Sequence, residues 1–111
     1  MNFITRTVGN TEVVEITGDV DLKVSPLLRK SLFAALKKSE KVAVNLSNIA
    51  YIDSSGIAVF IESLRESQKL GNMFVLFGMS PKVYEVFKLT HVLRIFQIFE
   101  NEAQALGLEA Q

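Results

Sequence analysis

Met73-Phe74-Val75-Leu76-Phe77 is apolar at every position, with Asn72 before it and Gly78 after. A strand with one wet face alternates apolar and polar residues, whereas a strand apolar throughout has both faces covered, as a central parallel strand does. Helices must therefore flank the sheet. The chain supplies them: Ile57, Phe60, Ile61 and Leu64 recur at helical spacing before this strand, and Val83, Val86 and Phe87 do so after it.

The rest of the chain falls into the same alternation. Phe3 to Val8 and Glu12 to Thr17 read as a hairpin around Gly9-Asn10, residues that accept the positive φ of a tight turn. Ser25-Pro26 predicts a helix capped by Ser25, with Leu28, Leu32, Ala35 and Leu36 as its buried stripe, running to about Ser39. Val42 to Leu46 is the next strand. The following helix spans Ser55 to Leu70 and stops at Gly71-Asn72. Ser80-Pro81 opens a third helix, Ile95 to Phe99 reads as a last strand, and Asn101 caps a final helix containing Ala105 and Leu106. The expected fold is α/β: a mixed, mostly parallel sheet of about five strands flanked by about four helices. With 111 residues the chain is one domain's worth, 1–111.

Composition removes several classes of function. Twelve basic and twelve acidic side chains cancel, so there is no basic field of the kind that drives nucleic-acid binding. No apolar run approaches the ~20 residues of a membrane span. Zero cysteines exclude disulfides and thiolate metal sites and, with no signal peptide at the start, fit a cytoplasmic protein.

Asp53-Ser54-Ser55-Gly56 stands between the strand side, ending Tyr51-Ile52, and the amphipathic helix. The first N–H groups of a helix lack intrahelical partners and carry its positive dipole end, so Asp and Ser at this junction serve as caps. The same place suits a phosphate. A phosphoryl group on Ser54 would add roughly −1.5 to −2 charges next to those donors, altering the surface while the helix tolerates it. Both readings, cap and switch, fit the spacing.

Gly18-Asp19-Val20-Asp21, Asn45-Leu46-Ser47, Tyr51-Ile52-Asp53-Ser54-Ser55-Gly56-Ile57-Ala58-Val59-Phe60 and Leu89-Thr90-His91, in that order, resemble the STAS family of sulphate transporters and anti-sigma-factor antagonists. Among its branches the chain is most similar to the free-standing bacterial antagonists. The resemblance implies phosphorylation at the first Ser after the Asp, here Ser54, by an anti-sigma factor that is also a serine kinase, and reversal by a serine phosphatase. It implies further that Asp21 helps the kinase reach that Ser. Asp19 and Asp21 read equally as turn residues between a strand and a helix. Asp53, Ser55, Gly56 and Val59 complete the expected recognition surface, Val59 because it falls where a strict apolar stripe would be polar, on a face with Glu62, Arg65 and Glu66. The other reading within the family is a STAS subunit of a membrane lipid-transport or signalling assembly, never phosphorylated.

An enzyme is not expected. Ser54, the single His91 and an Asp could nominally form a triad, but the Gly-x-Ser-x-Gly elbow is missing. The scattered glycines make no phosphate-cradling loop. Asp19, Asp21 and Asp53 could at most hold Mg²⁺ loosely, so neither metal nor cofactor is predicted.

Overall fold

The computed structural model describes residues 2–108. The chain runs β1 (Asn2–Val8), β2 (Thr11–Val20), α1 (Ser25–Lys38), β3 (Lys41–Ile52), α2 (Ser54–Leu70), β4 (Met73–Phe77), α3 (Pro81–Leu89), a short 3₁₀ turn (Leu93–Ile95), β5 (Gln97–Phe99) and α4 (Glu102–Ala105). The strands lie side by side in chain order, β1 antiparallel to β2 and every later pair parallel. The α/β class, the mixed sheet and the four helices are as the sequence predicts.

Because each crossover steps one strand in the same direction, the helices connecting the parallel strands collect on one face. Leu28, Leu32 and Leu36 of α1, Ile57 and Phe60 of α2, and Val83 and Phe87 of α3 pack there on Val14, Ile16, Val42, Val44, Phe74 and Leu76. Phe87 joins the helices by aromatic contacts, its ring 6.1 Å from Phe60 and 5.7 Å edge-on from Phe96. The alternate residues Val13, Ala43, Val75 and Phe77 point to the opposite face, which α4 covers through Ala105. Both faces of β4 are thus buried, as its unbroken apolar run requires.

Several local expectations change. Gly9 alone supplies positive φ (+62°) in the hairpin; Asn10 does not, and its amide donates to Glu40 Oε2 at 2.8 Å. A two-residue turn with only its first central residue left-handed belongs to the II′ class. β2 continues to Val20, placing Asp19 inside a strand opposite Tyr51 instead of in a turn. The last strand starts at Gln97, not Ile95, because the chain first closes a 3₁₀ turn over Leu93–Ile95.

Candidate functional site

Asp53 is the N-cap of α2. In extended backbone (φ −117°, ψ −174°), it turns its carboxylate back over the first turn, where Oδ1 accepts from the N–H groups of Ser55 (2.9 Å) and Gly56 (3.4 Å). The Ser55 hydroxyl also donates to that oxygen, at 2.5 Å. This hydroxyl bond is the main reason the Asp53 carboxyl lies below the usual carboxylate range; burial opposes it, and the N–H groups of Gly56 and Ser55 add to it.

A second loop is tied to the first. The Asp21 carbonyl accepts from the N–H of Val24 (3.2 Å) and Ser25 (3.0 Å) and from the Ser25 hydroxyl (2.8 Å), while its carboxylate accepts from the Lys23 N–H (3.1 Å). Ser25 Oγ also lies 3.0 Å from Ser55 Oγ. Two hydroxyl protons serve these contacts to Asp21, Asp53 and one another. The charged acceptor takes the Ser55 proton, leaving that of Ser25 to the Asp21 carbonyl and the Ser55 oxygen. Ser25 is therefore not the cap of α1, whose N-cap is Val24 without a side-chain bond. Its hydroxyl joins the β2–α1 loop to the β3–α2 loop instead.

Ser54 begins α2 and is exposed. Among the described residues no hydrogen bond engages its hydroxyl, whereas the hydroxyl of Ser55 is held on two sides. One serine is presented and its neighbour is built in.

The remaining site residues divide. Asp19 is exposed near the carboxyl end of β2. Gly56 is buried against β2 and β3: a Cβ there would lie 2.7 Å from Val20 Cγ1 and 2.9 Å from Ile52 Cγ1. Val59 is in the core, 4% exposed, and is not a surface contact. The physical reason is that α2 packs on α1 as well as on the sheet, which widens its buried arc to Gly56, Val59, Ser63 and Ser67 beyond the single stripe. On the outer face Glu62 bonds Arg29 of α1 at 3.2 Å and Glu66 pairs with Lys69 at 3.7 Å. Sequence reasoning took Ser25 for a helix cap and missed its bond to Ser55, and it missed the exposed apolar side chains of Leu22, Leu27 and Tyr51 at this end of the sheet. Leu22 carried a signal, an apolar residue between Asp21 and Lys23 in a connecting loop.

Among the described residues no three His, Cys, Asp or Glu side chains come together to hold a metal ion, and no helix is long and apolar enough to cross a membrane.

The STAS domain family profile matches residues 2–105. The chain belongs to the STAS domain family. It is 25% identical over 96 residues to the anti-sigma-B factor antagonist of Listeria monocytogenes, across 86% of this chain and 84% of that one. Over 85 residues it is 27% identical to the anti-sigma-B factor antagonist of Bacillus subtilis, across 77% and 78% of the two chains. Among solved structures it matches a Thermotoga maritima chain with a TM-score of 0.87 at 25% identity, covering 95% and 92%. It shares the fold of the Bacillus cell fate determinant SpoIIAA in the phosphorylated form, with a TM-score of 0.74 at 20% identity over 96% and 97%.

The cap of this STAS domain carries a stability prediction. Asp53→Ala leaves the first-turn N–H groups without their acceptor and should lower stability by about 0.5–2 kcal/mol at neutral pH. A folded-state pKa below the unfolded value means that the ionised cap stabilises fully above the unfolded carboxylate pKa of about 3.9, and that this contribution is lost as pH falls through the lower folded value. Urea midpoints of parent and variant should therefore differ at pH 7 and converge under strongly acidic conditions. A constant gap across that range would show that the Asp53 charge does not stabilise the helix.

Proposed function

We propose that this STAS domain is an anti-sigma-factor antagonist in a partner switch: with Ser54 unmodified it binds an anti-sigma factor that is a serine kinase, and phosphorylation of Ser54 by that kinase ends the complex. The observation that carries this reading is the pairing of an exposed, unengaged Ser54 hydroxyl with a Ser55 hydroxyl committed to Asp53 and Ser25. The names of the Listeria and Bacillus relatives, and the occurrence of SpoIIAA in a phosphorylated form, support it.

In the transfer step, Ser54 Oγ attacks the γ-phosphorus of ATP held by the kinase, ADP leaves, and the hydroxyl proton passes to a base that the kinase supplies. The domain contributes position and catalyses nothing. Asp19 and Asp21 mark the rim that the kinase reads, with Leu22 and Tyr51 exposed on the same end of the sheet. Asp53, Ser55 and Gly56 act by holding the helix start in place, so their contribution to recognition is indirect. A serine phosphatase restores the unmodified form, and the cycle runs in the cytoplasm.

Intact-mass and tandem mass spectrometry after incubation with ATP and the cognate kinase test the assignment. A single phosphate on Ser54, absent from Ser54→Ala, is the expected result. Phosphate on Ser55, or persisting on Ser54→Ala, sinks it.

A further inference from the structure

Three helices of this domain close in the same way. At the end of α2 the Gly71 N–H donates to the Gln68 carbonyl (3.3 Å) and Asn72 to Ser67 (2.8 Å). At the end of α4, Gly107 donates to Gln104 (3.1 Å) and Leu108 to Ala103 (2.8 Å). At the end of α3, His91 donates to Lys88 (3.1 Å) and Val92 to Phe87 (3.2 Å). This double bond pattern is the Schellman closure, whose turning residue is left-handed and usually glycine. Gly71 and Gly107 occupy it with φ of +72° and +71°; on α3 the residue is His91, at +60°. Among the described residues His91 alone combines a side chain with positive φ. A side chain retained in a costly conformation points to something the side chain does.

His91 lines a cavity of 340 Å³ together with Lys88, Leu93 and Arg94. That size is at the lower end of small-ligand sites, roughly 300–1,000 Å³. Among the described residues its lining consists of two cations, a histidine and a leucine, with no carboxylate among them. Neither Lys88 nor Arg94 enters an ion pair among the described residues, although the chain as a whole has formal net charge zero. Two cationic residues and a histidine lining one opening match a group with several charged oxygens better than a single carboxylate. The site is separate from Ser54. β3 delivers Ser54 to the carboxyl end of the parallel strands, whereas the segment after α3 leads into the start of β5, where Gln97 lies opposite Val75. Leu89 and Ile95, 68% and 50% exposed, flank this segment.

We infer that Lys88, His91 and Arg94 form a binding site for a phosphate-bearing ligand, at the end of the domain opposite the phosphoacceptor serine. The phosphate comes either from a soluble phosphorylated molecule or from an anionic lipid headgroup, and the two are separable by experiment. Inorganic pyrophosphate, titrated into the intact protein, should shift the imidazole resonances of its single His. Arg94→Gln and Lys88→Gln should each weaken that binding about tenfold, as loss of a charge-assisted hydrogen bond does. His91→Gly should also weaken it while melting no lower than the parent, because glycine relieves the left-handed position. Sedimentation with phosphatidylglycerol vesicles, competed by pyrophosphate, identifies a lipid source; pyrophosphate binding without vesicle binding identifies a soluble one. The inference is overturned if millimolar pyrophosphate leaves His91 unmoved and the vesicles do not bind, or if binding is unchanged in Arg94→Gln and His91→Gly.

Discussion

Ser54→Asp should weaken binding to the proposed anti-sigma kinase about a hundredfold, some 2.7 kcal/mol, while Ser54→Ala binds as tightly as the parent. The asymmetry follows from the position of Ser54, which is exposed at the rim with its hydroxyl in no hydrogen bond among the described residues, so removing the hydroxyl breaks none of their bonds. Adding a carboxylate beside Asp53 places two negative charges where a partner must desolvate the surface. The fold should survive both changes, because an acidic residue in the first turn gains about 0.3–1 kcal/mol from the helix dipole, offset by repulsion from Asp53 of similar size. Calorimetric titration reads the affinity and thermal denaturation controls for folding. Equal affinities for Ser54→Asp and Ser54→Ala would mean that charge at this helix end is not the switch.

Gly56→Ala should destabilise the domain by about 1–3 kcal/mol, against the usual direction for Gly to Ala in a helix. Helix propensity alone would favour Ala by at most about 1 kcal/mol, and by less in the first turn. The added methyl would lie 2.7 Å from Val20 Cγ1, 2.9 Å from Ile52 Cγ1 and 3.2 Å from the Val20 carbonyl. Val20 is 0% and Ile52 4% exposed, so neither has room to yield, and the carbonyl belongs to a paired strand. The helix start must then move away from the sheet, taking Ser54 with it. A urea midpoint below the parent's, with kinase affinity reduced alongside, is the expected result. A midpoint equal to or above the parent's would show that helix propensity outweighs the contact.

Gly56 lets α2 approach β2 and β3, Asp53 fixes the first turn, and Ser55 is spent on holding Asp53, which leaves Ser54 free at the surface. On the proposed reading, a phosphate on Ser54 would change the surface charge without unpacking the helix below it.

Much of this was legible in the sequence because it is local. The unbroken apolar run at Met73–Phe77, the caps at Asp53, Ser80 and Asn101, and the glycine stop at Gly71 each depend on residues within a turn or two of one another. So did the place of the candidate serine, since a strand followed by a capping cluster and a helical stripe fixes what is presented at that junction. Tertiary structure alone decided what depends on neighbours distant in the chain. Val59 is core because α1 lies against α2, and no period within α2 reports its neighbour. Ser25 bonds Ser55 across 30 positions, which only the adjacent parallel strands β2 and β3 bring together. His91 takes the left-handed position that closes α3 with Val92 packed against the core, a position glycine usually fills, so the residue type gave no sign of it. Local backbone preference and hydrophobic period are written in neighbouring residues; which helix covers which face, and which loops then touch, is set by packing free energy summed over the assembled core.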